Sequence, residues 1–324
     1  MKKVKLTREN FLFSFALLAC LFFLAEKTIT NNMFFSNRFE SSPEGRWDIT
    51  IDMGGKALPS WLEIQRSGSK TFVGQFVGTG GSARPISKIN FSNDKISFSI
   101  PPQWEQGSND VSFEATLEGD NLTGTLTSSD GKNYNWIAVR APLLARAAQP
   151  SWGKPVKLFN GKDLKGWHTS GENQWKAENG ILRSPKSGSN LITDQTFTDF
   201  KLHVEFRYPK HSNSGVYLRG RYEVQIEDDE RRQSSNHSFS SIYGFLAPSE
   251  MTAKDPGEWQ AYDITLVGRM VTVVANGKTV ICNREIPGIT GGALDSKEND
   301  PGPIYFQGDH GPIDYRNIVI TPAK

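Results

Sequence analysis

Between Trp47 and Arg140, turn residues cut the chain into short runs at near-even spacing, and this spacing restricts the fold more than any other feature. The runs are "RWDITIDM", "WLEIQRS", "TFVGQFVG", "ISKINFS", "KISFSIP", "DVSFEATLE", "NLTGTLTS" and "YNWIAVR". Between them, "RSGSK", "SNDK", "EGDN" and "SDGK" carry the Gly, Asn, Asp and Ser that tight turns favour. Eight such runs predict an antiparallel meander that closes into a small barrel. Closure removes the unpaired strand edges on which another chain could template.

"APLLARAAQPSWGKP" then breaks the pattern with prolines and alanines, which places a domain boundary near residue 150. Beyond it come "VKLFNGKDLKGWH", "QWKAENGILRS", "NLITDQTF", "FKLHVEFRY", "GVYLRGRYEVQIE", "QAYDITLVG", "VTVVANGKTVI", "GPIYFQG" and "YRNIVIT". Most alternate in polarity or are β-branched. Asn276-Gly277, between two β-branched runs, predicts a two-residue hairpin turn. So many strands exceed one open sheet, and two packed sheets accommodate them. The chain therefore reads as all-β. A small antiparallel barrel covers 44–142, a linker 143–152, and a jelly-roll β-sandwich 153–324. Residues 231–254 lack strand periodicity and read as a long loop over one face.

The N-terminus is basic ("MKKVKLTREN") and runs into the apolar "FLFSFALLACLFFLA". That run is short for a spanning helix and fits a secretory signal. "LLAC", ending at Cys20, resembles a lipobox, and an uncleaved anchor is the third option. All three make residues 1–30 a signal or a membrane or lipid anchor, and put the rest of the chain outside the cytoplasm. Membrane attachment is expected through this segment only. With Cys20 in the leader, Cys282 has no internal disulfide partner and reads as buried apolar filler. The net charge is +2, with 37 basic and 35 acidic residues and no basic stripe, which argues against a nucleic-acid partner.

"NSGVYLRGRYEVQIEDD", Asn213 to Asp229, reads as a turn followed by one long strand. By parity Val216, Leu218, Tyr222, Val224 and Ile226 share one face. Tyr217, Arg219, Arg221, Glu223, Gln225 and Glu227 share the other. "FKLHVEFRY" splits the same way and puts Glu205 and Arg207 on its polar face. Pairing of the two as a hairpin through "PKHSNSG" would set their polar rows side by side. "IYFQGDHG" adds Gln307, Asp309 and His310. Solvation alone accounts for an alternating charged face. The amides of Asn213, Gln225 and Gln307, with Tyr217, Tyr243 and Trp259, add what sugar hydroxyls and ring faces require. The five His are scattered, without HExxH or a Cys/His cluster, so the metal ligands are unknown and a divalent cation stays open. "GTGGSARP" lacks the Lys-Ser/Thr ending of a phosphate loop, and no GxSxG elbow occurs.

In order along the chain, "LFNGKDLKGWH", "FKLHVEFR", "NSGVYLRGRYEVQI", "SIYG", "GEWQAYDI", "NGK" and "GPIYFQGDHGPIDYRNIVI" resemble the motifs of the 3-keto-disaccharide hydrolase domain family. The resemblance spans about residues 153 to 322. It implies a concanavalin A-like sandwich and cleavage of glycosides already oxidised to a ketone at C3, with a carbohydrate substrate and no certain cofactor. The preceding barrel is similar to a lipocalin-like module. By motif position the resemblance implies Glu205, Arg207, Asn213, Ser214, Arg219, Glu223, Gln225, Tyr243, Gln307, His310, Arg316 and Asn317 as site residues. Gln260 stands where the family carries Asn after "EW".

A C3 ketone acidifies the C2 proton and makes the C1 oxygen a β leaving group. The expected base is Glu223 or Glu205, the enolate partner Arg219 or a bound cation, and the acid His310. Glu205 and Glu223 as a flanking carboxylate pair is the rival mechanism. A non-catalytic, lectin-like envelope protein is the rival class.

Overall fold

The computed structural model describes residues 42–228 and 233–324. The expected signal or anchor over 1–30, with Cys20, lies outside these residues. Among the described residues there is no helix. The first eight strands are β1 (Gly45–Asp52), β2 (Ala57–Ser67), β3 (Thr71–Val77), β4 (Arg84–Ser92), β5 (Lys95–Ile100), β6 (Val111–Glu118), β7 (Asn121–Thr127) and β8 (Asn133–Arg140). Each pairs antiparallel with the next, and β1 pairs with β8 to close the barrel. Strict alternation drives this: in β6 every second residue, Val111, Phe113, Ala115 and Leu117, is buried. The interior is filled by side chains. Phe98 stacks on Phe113 at 4.5 Å, and Phe76 and Trp136 pack around them.

The second half holds β9 (Val156–Lys157), β10 (Trp167–Thr169), β11 (Lys176–Glu178), β12 (Ile181–Ser184), β13 (Leu191–Phe197) and β14 (Phe200–Arg207). Then follow β15 (Asn213–Leu218), β16 (Tyr222–Glu227), β17 (Gln260–Val267), β18 (Met270–Ala275), β19 (Lys278–Glu285), β20 (Gly302–Phe306) and β21 (Ile313–Pro322). They form a five-stranded sheet, β10-β13-β20-β15-β16, and an eight-stranded sheet, β11-β12-β21-β14-β17-β18-β19 with β9 alongside β21. The sheets face each other across one apolar core, where Phe306 of the first stacks on Tyr315 of the second at 4.1 Å. The architecture is therefore the expected barrel followed by a β-sandwich. The Asn276-Gly277 turn forms as expected, with both residues left-handed (φ 51° and 82°).

Three expectations fail. "NSGVYLRGRYEVQIEDD" is two strands, because the chain turns at Arg219–Gly220 (φ 53° and 67°) and β15 folds back on β16. "FKLHVEFRY" does not pair with it: β14 lies between β17 and β21 in the other sheet. Cys282 is exposed, because it follows the buried Ile281 on edge strand β19 and so points outward.

The barrel does not hang free of the sandwich. Trp61 of β2 points away from the barrel core and is fully buried in the sandwich core, edge-on to Phe245 at 5.3 Å. Gly288 admits it, since a Cβ there would sit 2.1 Å from its indole nitrogen. Truncating such a buried ring costs about 3–5 kcal/mol. Residues 143–152 run along the sandwich, where Arg146 pairs with Asp199 at 2.7 Å.

Candidate active site

On β16, Tyr222, Val224 and Ile226 enter the core, so Glu223 and Gln225 stand on the outer face of the five-stranded sheet. Both are nevertheless buried. On the paired strand Gly215 lies under Glu223; a Cβ there would come within 2.2 Å of its carboxylate. Tyr217, two residues on, places its hydroxyl 2.9 Å from Glu223 Oε2 and 2.8 Å from the Gly291 carbonyl. Its ring stacks on Tyr305 of β20 at 4.1 Å, and Asn190 donates to the Tyr305 hydroxyl at 2.9 Å. The Gln225 amide, oriented to satisfy both its ends, donates to Glu223 Oε1 at 3.1 Å and to the Ser214 carbonyl at 3.2 Å.

The Glu223 backbone is held from both sides. Its N–H donates to Thr290 Oγ1 at 3.0 Å, and its carbonyl accepts from the Tyr243 N–H at 3.1 Å. The long loop thus caps the free edge of β16, with Ser240 and Ser241 bonded to the Gln225 backbone. Burial pushes the Glu223 carboxyl up to about 8, reinforced by the charges of Asp309 and Glu227 and opposed by the Tyr217 hydroxyl. Tyr243, half-buried beside it, is pushed up to about 12 by burial and the charges of Glu223 and Glu227. Gln307 follows β20, its N–H donating to the Gly215 carbonyl at 3.0 Å. Its buried side-chain oxygen has no hydrogen-bond partner among the described residues. Asp309 and His310 form a half-exposed pair at 2.6 Å, and the bond to Asp309 raises His310 above its ordinary range.

The structure thus gathers Tyr217, Glu223, Gln225, Tyr243, Gln307 and His310 around one outer face, with Asn213 at the start of β15. It does not gather the rest. Ser214 points into the sandwich, bonded to Tyr315 at 2.9 Å. Glu205 lies on the outer face of the other sheet, bonded to Arg316 and Asn317 at 2.6 Å each. Arg207 is there too, paired with Asp314 at 2.9 Å, and Trp259 lies under both Arg207 and Arg316. Glu205 and Glu223 point away from each other across two sheets about 10 Å apart. They cannot flank one glycosidic bond.

Arg219 is also misplaced for an enolate. The left-handed turn swings it to the barrel junction, where it donates to Tyr222 at 2.7 Å and to the Glu298 carbonyl at 3.0 Å. Glu298 is fully buried, binds Arg269 through both oxygens and accepts from Tyr222 at 2.6 Å. Asp48 of the barrel joins this cluster, and burial together with the Glu298 charge drives its carboxyl far upward. No group of three or more His, Cys, Asp or Glu placed to hold a metal ion occurs among the described residues. Tyr305, Thr290 and Gly291 escaped the sequence reading. Tyr305 shares parity with Gln307 and could have been found; the other two lie in a loop without periodicity.

A model of the family described as 3-keto-alpha-glucoside-1,2-lyase-like domain matches residues 154–321. A 3-keto-disaccharide hydrolase of Bacteroides thetaiotaomicron is 22% identical over 165 residues, 39% of this chain. The match spans 57% of that relative's length. A Parabacteroides distasonis protein named as a glycosyl hydrolase is similar at 29% identity and TM-score 0.45, over 54% of this chain and 92% of that one. A carbohydrate-binding module of Bacillus subtilis is similar at 12% identity and TM-score 0.33, over 47% of this chain and 93% of that one.

Proposed function

Because this chain belongs, through residues 154–321, to the 3-keto-alpha-glucoside-1,2-lyase-like domain family, we propose that it cleaves 3-keto-glycosides with Glu223 as the base. The observation that carries the reading is Glu223 itself. It is a buried carboxyl fixed by Tyr217 and Gln225, with a titration point pushed to about 8. A base of that strength takes a proton from carbon more readily than an ordinary carboxylate, and remains available in mildly alkaline water. The free acceptor on the buried Gln307 side chain supports a sugar hydroxyl as its missing partner.

In this scheme Glu223 takes the C2 proton, and the C–H electrons form an enolate over C2 and C3. As the C3 carbonyl re-forms, a C1–C2 double bond arises and the C1–O bond to the aglycone breaks. His310, whose protonated form the bond to Asp309 favours, gives its proton to the departing oxygen. Water then adds hydroxide to C1 and a proton to C2, so the net change is hydrolysis. With Arg219 at the barrel junction, the enolate oxygen falls to the amides of Asn213 and Gln307 or to a bound cation. The apolar leader supports action outside the cytoplasm.

Product release from 3-keto-glucosides and their unoxidised parents, with and without a chelator, tests the reading. Cleavage of the ketones alone is expected, and loss with chelator would assign the enolate to a cation. Cleavage of both forms alike, or sugar binding without turnover, would overturn it in favour of an ordinary glycosidase or a lectin.

A further inference from the structure

The glycine-rich stretch of the barrel, residues 78–83 between β3 and β4, lacks the sequence of a phosphate loop, yet it is packed too tightly to be a plain connector. It reaches the two segments that grip Glu223. The Thr79 carbonyl accepts from the Gly292 N–H at 3.1 Å. A Cβ on Gly291 would lie 2.1 Å from the Gly81 carbonyl oxygen, so the two backbones touch with no room for a side chain. A Cβ on Gly244, next to Tyr243, would lie 2.8 Å from the Ala83 nitrogen. The loop is braced from within the barrel. Gln103 accepts from the Ser82 N–H at 3.1 Å and donates to its hydroxyl at 2.9 Å, while Arg84 pairs with Glu105 at 2.7 Å.

Gly291 matters because of how protons are shared. The Tyr217 hydroxyl has one proton and two acceptors in reach, the Gly291 carbonyl and Glu223 Oε2. When Gly291 takes that proton, the Tyr217–Glu223 bond survives only if Glu223 carries a proton of its own. When Glu223 is ionised, Tyr217 must turn to it and the buried Gly291 carbonyl loses its partner. The carbonyl therefore competes against the carboxylate form. We propose that the glycine-rich loop of the barrel is a positioning element of the Glu223 site, acting by pressing the Gly291 carbonyl onto Tyr217.

This inference rests on Glu223 being the working base, but its test does not need turnover. The titratable groups facing Glu223 are Tyr217 from β15, Tyr305 and Asp309 from β20 and its continuation, Tyr243 from the capping loop, Tyr315 from β21 and Glu227 from its own strand. None belongs to the barrel, so a charge-neutral change at the barrel contact reaches Glu223 through backbone contacts alone, at Gly291 beside Tyr217 and at Gly244 beside Tyr243, and Gly291→Ala addresses the first of these.

The titration of Glu223 is read by carboxyl-carbon NMR on glutamate-labelled full-length protein, with Glu223→Gln to assign the signal. Gly291→Ala drives the two backbones apart, and Gln103→Ala unbraces the loop from the barrel side if the first variant folds poorly. Both are expected to move the Glu223 midpoint down by about one unit as Tyr217 turns to the carboxylate. Tyr217→Phe, which removes that donor, is expected to move it up. In active protein the acid limb of kcat follows the same shifts with KM little changed. A Glu223 midpoint that stays at the wild-type value in folded Gly291→Ala and Gln103→Ala would overturn the proposal. A wild type that cleaves no ketone would overturn the proposed reaction and leave this coupling standing.

Discussion

Glu205 and Glu223 stand on opposite outer faces of the sandwich, one on the eight-stranded sheet and the other on the five-stranded sheet, with the apolar core between them. One is partly buried and tied to Arg316 and Asn317; the other is fully buried and tied to Tyr217 and Gln225. Only the second has a carboxyl pushed up by burial, to about 8. Glu205→Gln should keep turnover and lose about 1 kcal/mol of stability or less, as for a surface ion pair. Glu223→Gln should abolish turnover while keeping sugar binding. Steady-state rates beside thermal melts of the two variants check both.

The raised carboxyl of Glu223 has two consequences of fixed sign. Turnover needs ionised Glu223 and protonated His310, so kcat should climb on the acid side as pH rises toward about 8 and fall again on the alkaline side as His310 loses its proton. Stability runs the other way. The folded carboxyl holds its proton where the unfolded one has lost it, so its contribution is complete below the ordinary Glu range near 4.5 and drains away as pH rises to about 8. Glu223→Gln should therefore melt higher than wild type at pH 8, and the gap should close toward pH 4. A variant that melts lower at pH 8 would contradict the burial argument.

Gly215 has no side chain because Glu223 occupies that space. Gly215→Ala places a methyl carbon within 2.2 Å of the carboxylate. The site should lose turnover, with about 1–3 kcal/mol of overpacking cost and a fold still intact by circular dichroism. Near-normal turnover in this variant would show that Glu223 is not held where the structure puts it.

At the barrel junction, Asp48 and Glu298 are buried together beside Arg269. Burial, then the Glu298 charge, raises Asp48 to about 9. The stabilising contribution of that proton is complete below the ordinary Asp range near 3.8 and drains away as pH climbs to about 9. Asp48→Asn should resist alkaline melting better than wild type. Glu298→Ala should be worse at every pH, losing about 3–5 kcal/mol because it strands Arg269. Melting curves from pH 5 to about 9 separate the two.

The barrel was legible because its turn residues mark every strand end and each strand alternates cleanly, as β6 does. Tyr217, Glu223 and Gln225 were legible for the same reason: parity alone puts them on one face. The turn at Arg219–Gly220 was hidden because an arginine occupies a left-handed position, where non-glycine residues are uncommon. Missing that turn merged β15 with β16 and sent Arg219 to the wrong place. Sheet membership was out of reach too. What holds Glu205 is a strand more than a hundred residues away, and no local pattern announces that pairing. The Gly291 carbonyl carries no side-chain signal at all, so its hold on Tyr217 needed coordinates.

The central claim is that Glu223 removes the C2 proton. A 3-keto-glucoside carrying deuterium at C2 tests it most directly, with the rate compared to the protium substrate and the fate of the label followed by NMR within the first turnovers. The account predicts slower turnover of the deuterated substrate, loss of deuterium from C2 at each cleavage, and neither event above background with Glu223→Gln. Cleavage at equal rates with the label retained at C2 would contradict it, because the C1–O bond would then break without C2 deprotonation.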